Sequence, residues 1–335
     1  MALEVGNLAR ARVPVRVCDV GGWTDTWFGS PGQVCHLAME PGVEVLARLV
    51  KSQNLKPLED PLLQAAIDSV VNSSSSLLKP GLGIELEITS AVPAGASVGT
   101  SASVLVGIVA AVDVLVGGAM RSPEEIAVLA HYAETDLAGR QAGVQDQWAA
   151  AFGGAALLAI GPYPKVRRQE LRLSEETLSG LDQRLVTVVF GTHDSSEVHR
   201  QVIDSLITCS GVEHHLAREA LRSLSKLALD ASRALEAGDL TVWGEVLKAS
   251  VEAQRSLHPA LVGTSHERAI NVGRASGAVG WKVNGAGGGG GSLTFVTSQV
   301  PDAKQRLIEA LEDEDRSWQV LDLTPSRSGV SITRT

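Results

Sequence analysis

Pro93-Ala94-Gly95-Ala96-Ser97-Val98-Gly99-Thr100-Ser101-Ala102-Ser103 runs directly into the apolar stretch from Val104 to Leu115. A small, polar, glycine-punctuated loop lets backbone N–H groups approach a ligand closely. The helix expected behind it turns its positive dipole end and unpaired N–H groups toward an anion. A nucleotide phosphate is the natural anion. Pro93, Gly95, Ser97, Gly99 and Ala102 would then shape the cradle, and Thr100 and Ser101 would supply hydroxyls for oxygen or metal contacts. Taken alone, the stretch reads equally well as a flexible loop before a buried helix.

The elements around this loop alternate between strand and helix signals. Ala11 to Val20 reads as a strand and ends in Gly21-Gly22. Val43 to Val50 reads as a second strand, and Ile84 to Ile88 alternates strictly and leads into the loop. Ser122-Pro123-Glu124-Glu125 is a helix start with a capping box. The apolar face that follows, Ile126 to Leu137, carries Glu134 at its edge, where a carboxylate could reach a cleft. Leu185 to Phe190 is an apolar strand, Glu213 to Ala237 an amphipathic helix stopped by Gly238, and Asp239 to Leu257 its partner. Trp281 to Asn284 and Leu293 to Val296 flank a glycine run, and Asp302 to Leu311 reads as a helix.

The chain has 335 residues, enough for two lobes with separate cores. Hydrophobic residues make up 44% and aromatics only 4%, which favours mixed α/β packing over an aromatic-rich sandwich. A lobe boundary near Leu173 to Asp182 gives units of 1–180 and 181–335. The net charge of −9 and the lack of a long basic run argue against a nucleic-acid partner. No apolar stretch is long enough to span a bilayer. The three cysteines, Cys18, Cys35 and Cys209, form no metal-binding spacing. They suit a reducing compartment. Met1 to Arg12 lacks the apolar core of a signal peptide, so a cytoplasmic location is expected.

Three separated segments must be explained together: Pro14-Val15-Arg16-Val17 with Gly21-Gly22-Trp23-Thr24-Asp25, the opening loop, and Lys282-Val283-Asn284-Gly285-Ala286-Gly287-Gly288-Gly289-Gly290. In this order they resemble the three signature motifs of the GHMP small-molecule kinases, over about residues 11 to 296. The second motif usually reads P-x-G-x-G-L-G-S-S-A. Here Ser97 replaces a glycine, Val98 a leucine and Thr100 the first serine. Asn284 stands where Ser or Thr is common. The resemblance implies an α/β (α+β) two-lobed fold. Its N-terminal lobe would be like the second domain of ribosomal protein S5 and its C-terminal lobe ferredoxin-like.

The resemblance also implies ATP and Mg²⁺ as cofactors, with Ser101 and Glu134 as metal ligands. Asp146, in Gly143-Val144-Gln145-Asp146, would accept or orient the proton of the attacking hydroxyl, and Arg16 would hold that aspartate ionised. An exposed helical carboxylate (Glu134), a strand-end ion pair (Arg16) and a loop cap (Asp146) are the plainer readings. Asp25 takes the place of a sugar-binding aspartate, and Gly22, Trp23 and Thr24 frame it in the manner of the fucokinase and heptose kinase branch. Trp27 could stack on a sugar or lie in the core. Ser195 and Ser196 match a heptose kinase segment whose hydroxyls could face substrate, and a helix cap accounts for Ser195 equally well. His193, His199 and Arg200 are available to a sugar phosphate, and Gly287 of the third motif would border the substrate.

The expected activity is ATP-dependent phosphorylation of a sugar or sugar phosphate, at the anomeric hydroxyl by resemblance. The expected partners are that sugar and ATP, and homodimerisation stays open. The rivals are a kinase for a different small alcohol and a catalytically silent sugar sensor. Retention of Arg16, Glu134 and Asp146 speaks against the sensor, and Ser97 keeps it in play.

Overall fold

The computed structural model describes residues 4–73, 78–116, 120–191, 195–208 and 211–334. Its strands are β1 (Leu8–Val20), β2 (Gly32–Lys51), β3 (Leu82–Ser90), β4 (Ala155–Ile160), β5 (Val166–Glu170), β6 (Leu185–Val189), β7 (Ala278–Val283), β8 (Ser292–Thr297), β9 (Gln319–Leu321), β10 (Thr324–Pro325) and β11 (Ser331–Arg334). Its helices are α1 (Pro61–Val71), α2 (Thr100–Leu115), α3 (Pro123–Tyr132), α4 (Gln145–Phe152), α5 (Glu175–Arg184), α6 (Ser195–Thr208), α7 (Gly211–Glu236), α8 (Leu240–Leu257), α9 (Thr264–Ala275) and α10 (Ala303–Glu314).

β2 organises the first sheet. It pairs antiparallel with β1 along one edge, and with β4 (from Gly32) and β3 (from Val43) along the other. The order is β11-β1-β2-β4-β5, with β3 and β10 also on β2. The second sheet runs β7-β8-β6-β9, again antiparallel. The two-lobed mixed α/β fold is therefore the one expected. One boundary needs correction. The expected boundary puts residues 324–334 in the second lobe, yet β10 and β11 pair with β2 and β1. The open edge of β1 supplies unpaired N–H and C=O groups, and the chain end satisfies them.

α2 is apolar almost all round and lies in the core of the first lobe, against β1 and β2. Burying a side chain such as Leu105 or Ile108 contributes roughly 1.5–3 kcal/mol each, so this helix is a firm mount for the loop ahead of it. α3 starts on the expected capping box, with Ser122 accepting the Glu125 N–H and Glu125 accepting the Ser122 N–H. A π-helical turn, Ala133–Leu137, follows it and carries Glu134. α7 and α8 form a hairpin between the sheets. α7 faces β2, α8 faces β7, and one apolar cluster joins Val15, Val17 and Leu37 to Ala228, Trp243 and Leu247. This shared core fixes the two lobes across the cleft between them.

Candidate active site

The cleft has a volume of about 630 Å³ and draws its walls from both lobes. The opening loop forms one wall through Gly95, Ser97, Gly99, Thr100, Ser101 and Ala102. Gly99 caps α2 in the left-handed region at φ +76°, and among the described residues no side chain caps that helix. Its first N–H groups and the helix dipole face the cleft, an arrangement built for an anion. Ser97 takes the glycine-like conformation at φ +57°, a strained one for a residue with a Cβ. Its carbonyl accepts Arg16 Nη1 at 2.5 Å. The hydroxyls of Ser97 and Thr100 are buried and have no hydrogen-bond partner among the described residues.

Arg16, from β1, and Asp146, from the first turn of α4, form a bidentate pair. Nε lies 2.8 Å from Oδ1 and Nη2 3.0 Å from Oδ2. A guanidinium fork and a carboxylate match in this geometry, and the charge-assisted bonds fix both side chains. Burial works against the Arg16 charge, but Asp146 and Asp19 more than offset it and raise its pKa. The Asp146 side chain keeps 27% of its surface exposed, so it still opens onto the cleft.

Glu134 and Asp25 also line the cleft. Glu134 accepts Gln147 Nε2 at 2.6 Å. Burial, helped by the Asp146 charge, pushes its pKa up to about 7. Asp25 is 2% exposed and accepts the Gln145 N–H at 3.0 Å. Burial pushes it up to about 6, and Asp146 and Asp19 add to the shift against the Gln145 bond. Gly143 passes so close that a Cβ there would lie 2.1 Å from Asp25 Oδ2. Trp23, at φ +79°, sets its ring 4.8 Å from that of His199 on α6, and its buried Nε1 has no hydrogen-bond partner among the described residues. Trp27 is exposed and packs edge-on against Phe28, outside this cleft.

Several expected residues lie elsewhere. The Thr24 hydroxyl bonds the carbonyls of Gly21 and Gln33 and the Gln33 N–H, so it holds the turn and does not line the cleft. Gly22 sits behind Asp19, with 2.8 Å between its Cβ position and Asp19 Oδ2. Gly287 is pressed against the Leu261 carbonyl, and Gly285 and Ala286 reach the cleft in its place. Pro93 lies outside the lining. Ser195 and Ser196 open α6, but their side chains lie outside the described residues, as does His193.

Sequence reading gave no role to Asp19, which is 1% exposed yet borders the cleft. It accepts the Gly285 N–H at 3.0 Å, and Lys282 Nζ lies 3.9 Å away. Burial raises its pKa, but Lys282 and Arg16 hold it below the usual carboxylate range. The available signal was an aspartate inside the apolar run Val15–Val20. Asn284, at the start of the glycine run, accepts the Cys18 N–H at 2.9 Å and donates to Ser292 and Thr294. It is a buried link between β1 and the second sheet.

Among the described residues no cluster of three or more His, Cys, Asp or Glu forms a metal cage. A hard cation that draws its other ligands from phosphate and water needs only one or two protein oxygens, and Ser101 and Glu134 both border the cleft. No helix among the described residues is long and apolar enough to cross a membrane.

Residues 62–154 match the family model of the GHMP kinases N terminal domain. The chain is 28% identical over 256 residues to a D-glycero-alpha-D-manno-heptose 7-phosphate kinase from Campylobacter jejuni, covering 76% of this chain and 72% of that one. It is 25% identical to a bifunctional fucokinase/GDP-fucose pyrophosphorylase from Arabidopsis thaliana, covering 93% of this chain but 32% of that much longer protein. The fold superposes on a D-glycero-D-manno-heptose 1-phosphate kinase from Bacteroides thetaiotaomicron with a TM-score of 0.72 at 20% identity, covering 97% of this chain and 98% of that one.

Proposed function

We propose that this chain, which carries the GHMP kinase N-terminal domain, is an ATP-dependent kinase that phosphorylates a sugar or sugar phosphate. The observation that carries this reading is the Arg16–Asp146 pair, set beside the open N-terminus of α2 in a cleft walled by both lobes. Phosphoryl transfer asks a protein mainly for positioning and charge neutralisation. The loop N–H groups at Gly99–Ala102 hold the phosphates. Ser101 and Glu134, which both border the cleft, would hold Mg²⁺, and that ion would supply charge neutralisation to the nucleotide phosphates. Asp146 takes the proton of the attacking hydroxyl, and Arg16 holds the Asp146 carboxylate in place through two hydrogen bonds while facing the transferred phosphoryl group.

Asp25 and the Trp23–His199 wall suit a polyol. A buried carboxylate accepts hydroxyl hydrogen bonds, and an aromatic face covers the apolar side of a ring. The anomeric hydroxyl of a heptose- or fucose-like sugar is the proposed acceptor, by likeness to the heptose kinase and fucokinase relatives. A cytoplasmic site of action belongs to the same reading, supported by the buried free thiols of Cys18 and Cys35.

Asp146→Asn tests the assignment. Nucleotide affinity is expected to stay within about threefold while kcat falls by about 10²–10⁴. Unchanged turnover would remove Asp146 from the role of base.

A further inference from the structure

Lys282 lies in β7 with 1% of its surface exposed, and it does not border the cleft. Lysine is almost never buried this deeply without a charge to meet. Its Nζ donates to Gln254 Oε1 at 3.1 Å and to the Val283 carbonyl, and Asp19 Oδ1 lies 3.9 Å away. Asp19 Oδ1 in turn lies 3.9 Å from Arg16 Nη1. Two carboxylates, Asp19 and Asp146, therefore flank one guanidinium. Only Asp146 has the bidentate geometry, at 2.8 and 3.0 Å. A planar fork matches one carboxylate in this way at a time.

We propose that Lys282 is a positioning residue for phosphoryl transfer: as counter-charge to Asp19, it leaves Arg16 aligned on Asp146. This rests on the sugar kinase reading above. With Lys282 present, Asp19 is met by the ammonium, by the Gly285 N–H at 3.0 and 3.2 Å and by Gln145 Nε2 at 3.4 Å. Without that ammonium, Asp19 is a buried anion whose remaining neighbouring cation is Arg16. The guanidinium turns toward it, the fork on Asp146 opens, and the base and the charge facing the phosphoryl group are both displaced. The glycine loop shares the arrangement, because Gly285 donates to the same Asp19 carboxylate. Burial depresses the Lys282 pKa, and the Asp19 charge opposes that shift.

The test compares wild type, Lys282→Met and Lys282→Met/Asp19→Asn, using ATP, Mg²⁺ and the sugar that wild type turns over best. In Lys282→Met, kcat is expected to fall about 10- to 100-fold, because misplacement by an ångström costs that much. KM for both substrates is expected to stay within about threefold, since the groups that bind them are untouched. The double variant, which removes the competing carboxylate as well, is expected to regain most of the lost kcat. A Lys282→Met kcat within about threefold of wild type overturns the proposal, as does a double variant as slow as the single one. Loss of thermal stability with kcat unchanged would likewise make Lys282 purely structural. Should Lys282→Met not fold, Lys282→Gln removes the charge but keeps a donor, and it is read in the same way.

Wild type that releases no ADP with any sugar overturns the kinase reading instead. The ¹⁵N resonance of Arg16 Nε–H then reads the pair without turnover. It is expected to move in Lys282→Met and to return in the double variant, and an unmoved signal overturns the proposal.

Discussion

Replacing Gly143 by alanine should weaken acceptor binding and spare nucleotide binding. The added Cβ would lie 2.1 Å from Asp25 Oδ2, 2.6 Å from Cγ and 2.9 Å from Oδ1, where real contacts essentially never fall below 3.0 Å. Asp25 is buried and anchored, so relief requires its carboxylate to retreat by about 1 Å. That retreat stretches the 3.0 Å bond from the Gln145 N–H beyond hydrogen-bonding range. Losing a hydrogen bond to a charged group costs about 1.5–3 kcal/mol. The same displacement moves the carboxylate from any sugar hydroxyl it accepts. At 1.4 kcal/mol per decade, acceptor affinity is expected to fall about 10- to 100-fold. The α2 N-terminus is untouched, so nucleotide affinity should stay within about threefold. Titration calorimetry of both ligands on one preparation, with the melting temperature as a control, separates the two. Unaltered acceptor affinity would refute the placement of Asp25 in the acceptor site. An equal loss for both ligands would show general damage.

Two predictions concern stability. Asn284→Ala strands the Cys18 N–H and the Ser292 hydroxyl in the core, while Thr294 keeps Thr187, so urea unfolding should show a loss of about 2–5 kcal/mol. A loss below about 1 kcal/mol would mean that the link is dispensable. His36 is buried, its ring nitrogens have no hydrogen-bond partner among the described residues, and burial, with the charges of Arg168 and Arg16, pushes its pKa down to about 3. The folded state cannot take the proton that the unfolded chain accepts below about pH 6.5, so stability drains as pH falls through that point. Asp25 and Glu134, with raised pKa values, act in the opposite direction, which makes a difference measurement necessary. His36→Leu should therefore gain about 2 kcal/mol on wild type between pH 7 and pH 5. A difference constant with pH would show that His36 finds a partner for its proton.

The motif residues were legible because each works locally. The helix behind the glycine loop is expected from Val104 and begins earlier, at Thr100, while Ser122 and Glu125 announce a cap that the structure repeats. β2 was only half legible. Glu40-Pro41-Gly42 reads as a chain break. The strand continues through it across a break in the β1 register, with β1 pairing on either side at Met39 and Val43 and β10 pairing at Met39 and Glu40. The π-helical turn that aims Glu134 follows from how α3 ends, and a smooth 3.6-residue period hides it. The Asp19–Lys282 contact joins β1 to β7, and no local pattern records a pairing between chain segments so far apart. Thr24 and Gly287 were misplaced for a related reason. They belong to the right motifs, but the turn and the Leu261 carbonyl take up their polar groups or their space.

Every role assigned to the cleft depends on sugar phosphorylation. A panel of free sugars and sugar phosphates, each given with ATP and Mg²⁺ and read by ADP release, tests it directly. ADP should form in proportion to one sugar class, with the signal lost in Asp146→Asn. ADP release that stays at background across the panel would rule the sugar kinase assignment out.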